Sequence, residues 1–419
     1  MLFLKAAAKI AGFDHSAGIG DAATAQMDYF HCNMQAPTHA NTATETTLVQ
    51  ELEAVKKMLK ASAGVEDIRH LRKVEWLGRL SGLLGLATAW IFPNPISAWL
   101  ISQYRFTCWT MLAHHILHRG YNAVPGIAGR HTSRGFAKGL RRWLDWPDWI
   151  WPPAWELEHN VLHHYHLGEH TDPDQVELNL QWLRQKNWPQ PLKVAFVFLM
   201  ACTWKFVYYA GNTLEEWLRK KYPENRIPTY GTTAFWDPRS ISGRVLWAKC
   251  ILPYVLLNFI FIPSLFLFIS AKAALFVCIN MLLAEIMTNL HSFAVIVTNH
   301  TGNDLYRFSK PIAGKEDFYA RQIAGSVNYT CGGFWNDYLH GYLNYQIEHH
   351  LWPDMTMLQY SKAHPLVKAI AHRHGIPYVQ QPVWQRVKKT IAVMTGASDM
   401  PLLPDASVFV PSGIAANSA

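Results

Sequence analysis

Charged residues are scarce. Asp, Glu, Lys and Arg make up 16% of the 419 positions, against roughly a quarter in soluble domains. Half of the chain is hydrophobic, so an ordinary water-facing surface is excluded and a membrane protein is expected. Cysteine is scarce too. Cys32, Cys108, Cys202, Cys250, Cys278 and Cys331 form no CxxC pair and several sit in apolar runs, which excludes a disulfide frame, a zinc-thiolate site and an iron–sulfur cluster. The polar parts therefore fit a reducing compartment. No Gly-rich dinucleotide fingerprint and no nucleic-acid motif is present. The net charge of +8 then reads as basic loops and lipid headgroup contact, with no nucleic-acid partner. Met1–Phe13 lacks a long apolar core and a clear cleavage site, so it reads as an amphipathic surface helix rather than a signal peptide.

What is present is apolar runs and histidine. Residues 35–47 are small and polar and read as a linker. Leu48, Leu52, Val55 and Leu59 then recur at helical spacing. Four long apolar runs follow, at about 76–92, 96–117, 246–269 and 272–298. Each is near the roughly 20 residues a helix needs to cross a bilayer. They pair into two hairpins with tight turns at Pro93–Pro95 and around Lys272. Those turns hold almost no basic residue, whereas the segments between the hairpins and after them hold many. The positive-inside rule puts both termini and the central segment in the cytoplasm. The stretch Leu192–Gly211 carries Lys193 and Lys205 and reads as an amphipathic helix in the interface. The tryptophan-rich Trp143–Trp155 reads as interfacial as well.

The expected architecture is thus an all-α integral membrane protein. Four spans in two hairpins occupy a domain at 75–380, with a cytosolic N-terminal segment at 1–74, a cytosolic tail at 381–419 and a cytosolic helical cap.

Three histidine clusters fall on one predicted side: "HHILH" with His114 and His118, "EHNVLHH" with His159, His163 and His164, and "QIEHH" with Gln346, His349 and His350. Residues three or four apart share a helix face, so these are ligand spacings. His164 is turned about 100° from His163 on an α-helix and can reach a second metal. Seven such groups exceed what one four-coordinate ion needs and suit two metals. His300, at the end of the fourth span, is level with them and is favoured as a ligand over His291. His115, His131, His166, His170, His340, His364, His372 and His374 read as ordinary surface or core residues. Arg105 lies inside a span, which marks it as functional unless it pairs with a nearby acid.

At these residues the sequence resembles the membrane fatty acid desaturases, marked by three histidine boxes around two apolar hairpins. The boxes here are "HHILH", "HNVLHH" and "QIEHH", and "HPLVKAIAHRHGIPY" after the third is also similar; the likeness covers roughly residues 75–380. It implies a cytosolic di-iron centre with His114, His118, His159, His163, His164, His349 and His350 as iron ligands, and His300 matches a further histidine of the family. Gln346 resembles the Gln-first third box of front-end desaturases and is expected as a direct or water-mediated ligand. Glu348 is expected to orient a histidine. The implied reaction reduces O2 and removes two hydrogens from an acyl chain of a fatty acid or lipid. The alternative is a hydroxylase or ketolase of the same superfamily acting on a fatty acid, sphingolipid or carotenoid. No HPGG haem motif occurs, so electrons are expected from ferredoxin or free cytochrome b5 with a reductase. That carrier is expected to dock on a basic face including Arg130, Arg134, Lys138, Arg141, Arg142, Arg307, Lys310 and Lys315.

Overall fold

A computed structural model describes residues 46–409. The surface helix expected at Met1–Phe13 and nearly all of the linker at 35–47 lie outside the described residues. Thr47 caps the first helix, α1 (Leu48–Ser62), in a capping box with Gln50. The apolar stripe read from the sequence packs as expected: Leu48, Leu52 and Leu59 are buried. α2 (Val65–Ala89) follows almost at once and runs unbroken past residue 75, so the division expected at 74/75 falls inside one helix.

α2 and α3 (Pro95–Phe106) form the first hairpin. Gly78, Gly82 and Gly85 let them touch: a Cβ on each would come within 2.6–2.8 Å of Thr107, Tyr104 and Ile101 respectively. The turn is closed by polar groups. Asn94 caps α3 by accepting from the Ser97 amide, and Asn280 accepts from the Asn94 amide while donating to the carbonyls of Ala89 and Phe92. α3 continues through a π-helical turn at Thr107–Ala113 into His114–Leu117. After a long connection the short α4 (Pro152–Leu157) starts on Pro152 and Pro153, where a missing N–H costs nothing.

Among the described residues, three helices are long and apolar enough to cross a membrane: α5 (Gln190–Lys221), α6 (Ile241–Phe268) and α7 (Ala271–Asn299). The first hairpin is less apolar, because α2 carries Glu75 and Arg79, and α3 carries Gln103 and Arg105. Leu84, Ile91, Phe92, Leu256, Phe268 and Leu282 are exposed, a surface suited to lipid rather than water. α5 does not run beside α6 and α7 from end to end. At its start Lys193 donates to the carbonyls of Arg184 and Thr395. At its far end Leu214 and Leu218 pack with Leu246 near the beginning of α6. Both regions belong to the end of the bundle where α6 begins and α7 finishes.

That same end carries further helices, among them α8 (Gln346–Leu351), α9 (Met357–Arg373) and α10 (Val383–Thr395). α1 packs on α9, and α10 on α5 and the end of α7. Among the described residues, strand is limited to two short parallel pairings, Arg307–Phe308 with Leu402–Leu403 and Val327–Asn328 with Val379–Gln380.

The segment expected to lie at the headgroup level goes deeper at its centre. Trp149 is buried and donates from Nε1 to Glu285 (2.8 Å) in the middle of α7. Arg105 donates to the same carboxylate (2.9 Å) and to Asn258 (3.2 Å). Asp148 pairs with the fully buried Lys205 (N···O 2.6 Å). Arg105 therefore has the nearby acidic partner that a buried guanidinium requires.

Candidate metal centre

The first histidine box follows directly on a π-helical turn, and the second is built on one. In the second, the turn at Glu158–His163 carries His159 and His163 and runs straight into His164. In an i→i+5 turn, residues four and five apart share a face. His163 and His164, four and five residues after His159, therefore both stay on its side of the helix, and the His164 ring approaches those of His118 (4.5 Å), His159 (4.9 Å) and His349 (4.9 Å).

The clusters converge from distant parts of the chain. The ligand atoms of His114, His118, His159 and His349 lie within 4.8 Å of one another, and so do those of His163, His300 and His350. His164 lies in a third such group with His349 and His350. Gln346 reaches the second group, its Nε2 standing 2.9 Å from His300 Nε2. Every histidine expected at the centre is placed there. His291 is not: it stacks on Phe106 at 3.9 Å and its Nε2 meets the Leu339 carbonyl.

Outer partners fix the ring orientations. His163 Nδ1 is 2.9 Å from Asp172, His350 Nδ1 is 2.9 Å from Gln322, and His349 Nδ1 is 3.1 Å from the Tyr360 hydroxyl. His300 Nδ1 is 3.2 Å from the Gly325 carbonyl. A proton on each Nδ1 leaves the Nε2 lone pair facing inward, as metal ligation needs. A faint sign of the first partner stands in "TDPDQ" just after the second box. Gln322 and Tyr360 arrive from other elements and carry no such sign.

The inward atoms are short of partners. His118 Nε2, His350 Nε2, Gln346 Oε1 and both ring nitrogens of His159 and His164 are buried without a hydrogen bond. His114 Nε2 and His349 Nε2 face each other at 2.8 Å. So many orphaned polar atoms in one place are costly unless cations sit between them, and a nitrogen-rich set of this kind suits iron, copper, nickel or zinc. The residues present therefore fit two metal ions.

The electrostatics agree. Burial, reinforced by neighbouring imidazoles, holds His159, His164, His300, His349 and His350 well below their ordinary range, so they stay neutral. Burial also acts to lower His163, but the Asp172 carboxylate outweighs it and the net shift is upward. Nearby, burial pushes Asp174 up to about 6, with Asp172 adding to the rise, and raises Glu158 well above the carboxylate range.

Two expectations are corrected. Glu348 does not touch a box histidine; its carboxylate accepts from Asn328 (2.8 Å) and Tyr378 (2.7 Å), beside His364. Its position between the ligand spacings turns it to the other side of α8. Arg142 is not a free docking cation. It is buried and donates to the carbonyls of Lys249, Asp148 and Ile150. Several of its neighbours on that face are spoken for: Arg130 with Glu75, Lys138 with Glu156, Arg141 with Asp145, Lys310 with Asp405 and Lys315 with Glu53.

A cavity of about 910 Å³ opens from the histidines. His114, His159, His163, His300 and Gln346 line one region; Phe196, Met200, Trp204, Val207, Phe293 and Ile296 line much of the rest. Its surface is mainly apolar and is drawn chiefly from α5, with residues 174–182 and the end of α7 completing it.

A family model described as Fatty acid desaturase matches residues 88–382. The chain belongs to the fatty acid desaturase family and is an oxidoreductase. The Acyl-lipid (7-3)-desaturase of Rebecca salina is 24% identical over 383 residues, 88% of this chain and 79% of that protein. That of Diacronema lutheri is 25% identical over 331 residues, 78% of this chain and 64% of that protein. The Fatty acid desaturase 2-like protein FADS2B of Mus musculus is 40% identical over 67 residues, 16% of this chain and only 14% of that protein.

Proposed function

We propose that the chain is an O2-dependent desaturase that introduces a double bond into the acyl chain of a fatty acid or lipid, using two irons and electrons from a separate carrier. The observation that carries this is the opening of an apolar cavity onto a cluster of eight converging histidines, four of which line it. An apolar slot suits an alkyl chain, and only a metal-derived oxidant attacks an unactivated C–H bond. His114, His118, His159 and His349 would hold one iron. His163, His300 and His350 would hold the other, with His164 beside both sets and Gln346 against His300. Bound there, the irons supply the oxidising power drawn from O2. The chain's own residues do the rest. Asp172, Gln322 and Tyr360 keep the imidazoles aimed, and the apolar walls exclude water and hold the alkyl chain in register. The substrate loses two hydrogens; with two electrons and two protons from the carrier side, O2 becomes two waters.

The same reading takes α2, α3, α6 and α7 as four spans and α5 as a helix lying across the cytoplasmic side. Its support is that both ends of α5 are tied to the histidine end of the bundle, together with the distribution of Lys and Arg. Ferredoxin or free cytochrome b5, with its reductase, would serve as carrier.

The test is expression in a host of defined lipids, followed by mass spectrometry of the lipids and turnover assays of the purified protein. A product lighter by two hydrogens, formed only when carrier and reductase are added to NADPH, is expected. A product heavier by one oxygen would identify a hydroxylase, and turnover with NADPH alone would remove the separate carrier.

A further inference from the structure

The cavity wall is held from behind by a buried set of charges that touches neither the cavity nor the histidines. At its centre Glu285 on α7 accepts from Arg105, Trp149 and Asn289, and from the Tyr254 hydroxyl. Asn289 passes the connection on: its Oδ1 accepts from the Lys205 amide (3.0 Å) and its carbonyl accepts from Trp204 Nε1 (2.9 Å). Lys205 opens a π-helical turn, Lys205–Tyr209, within α5. Its ammonium pairs with Asp148 and lies 5.0 Å above the Trp109 ring. Two cations and two anions are thus sealed together, and the set is neutral overall.

The consequence lies on the other face of that turn. Trp204, Val207, Tyr208 and Tyr209 line the cavity. Tyr209 accepts from Trp155 Nε1 (3.1 Å), and Trp155 stacks on His159 with centroids 4.7 Å apart. One bulged turn therefore connects the charge network, the cavity wall and a metal-facing histidine. A buried ion network is a poor way to gain stability, since apolar replacements do as well or better. Its particular virtue is directional geometry, because each charged pair works at one distance and angle.

We propose that the Arg105–Glu285 and Lys205–Asp148 network is a positioning device: it fixes the bulged wall Trp204–Tyr209 relative to the histidine cluster and so selects which carbon of the bound chain is oxidised. Register is sensitive to displacements of about 1 Å, on the order of the step between chain carbons. Lys205 and Asp148 are the adjustable part, because they join the wall to the buried loop at Asp148–Ile150. The inference rests on the desaturase reading, but its effect on chain binding does not need turnover.

The test replaces Lys205→Met together with Asp148→Asn, which removes both charges and leaves neither unpaired. Three quantities are read: metal per chain, the double-bond position in the products, and the affinity of purified protein for saturated fatty acids of increasing length by displacement of a fluorescent fatty acid. Unchanged metal, products spread over neighbouring positions and a shifted length preference are expected. One unchanged position with an unchanged length profile, at whatever rate, would overturn the proposal. Should the double variant not fold, Tyr254→Phe decides. It deletes one hydrogen bond to Glu285 at nearly constant volume, and a smaller shift in the length profile is expected; an unaltered profile overturns the proposal. If the wild type makes no unsaturated product, the desaturase reading fails, while the binding profile still judges the wall.

Discussion

The rings of His164 and His350 stack with centroids 4.2 Å apart and planes within 11°. This contact joins the second histidine box directly to the third, across almost half of the chain. It depends on the π-helical turn at Glu158–His163, which brings His164 round to the inner face. The two rings also have different supports. His350 is aimed by Gln322, whereas both nitrogens of His164 are free to face a cation.

Asp172 is an outer support of the cluster, its carboxylate hydrogen-bonded to the His163 imidazole. Asp172→Asn keeps the shape but removes the charge beside His163 Nδ1. Metal affinity should fall about 10–100-fold, as for other such partners. Competition with a chelator measures this. An unchanged affinity would mean that His163 is not a ligand.

Acid should unfold the metal-stripped chain. Burial holds five of the histidines well below the ordinary value of 6.5. Unfolded, each takes a proton near that pH. Below it the unfolded chain binds more protons than the folded one, so stability is lost as the pH falls. His163 has the opposite sign: its value is raised, so its contribution is full at low pH and disappears as the pH rises through the folded value. Asp174 and Glu158, raised by burial, share the sign of His163; five against three still leaves a net loss on acidification. The apparent Tm of chelator-treated protein in detergent should drop between pH of about 7.5 and about 5.5; a rise would contradict the burial of these rings.

Arg105→Ala would strand Glu285 in the bundle with its charge uncompensated. Breaking a buried pair in this way costs about 3–5 kcal/mol, so the variant should lose much of its folded yield and thermal stability. Arg105→Met with Glu285→Gln removes both charges and should recover most of the loss. A stable single variant would show that Glu285 is satisfied by Tyr254, Trp149 and Asn289 without the arginine.

Membrane topology can be read with single cysteines at exposed positions. Labels at Pro95 and Lys272 should react from one side, and labels at Arg134, Thr232 and Gly314 from the cytoplasmic side. If Arg134 and Thr232 reported opposite sides, α5 would cross the membrane.

The legible part of this centre was local. His114 with His118, and Gln346 with His349 and His350, could be paired from sequence because neighbours on one helix face repeat at fixed intervals. His300 was found because it sits where an apolar run ends. Bulged turns leave no such periodic mark, so the orientation of His164 could not be read from spacing. Arg142 shows another limit: a basic residue in a polar-looking stretch was turned inward by three carbonyls that only tertiary folding brings together. The destination of Glu348 likewise depended on Asn328 and Tyr378, from separate elements. The cavity, shared between α5, residues 174–182 and the end of α7, has no signature in any of them alone.

Leu199 and Val207 line the cavity and are also exposed on the flank of α5, 64% and 39% accessible respectively. The walls of the slot thus reach the exterior at these positions, where the one hydroxyl between them, on Thr203, is turned back to the Leu199 carbonyl. Under the desaturase reading proposed above, a lipid tail would reach the histidines by moving sideways out of the surrounding lipid. Supply to such a centre is set by the crowding of acceptable tails in the surrounding sheet of lipid, a two-dimensional quantity, and not by how much of the substrate dissolves in water.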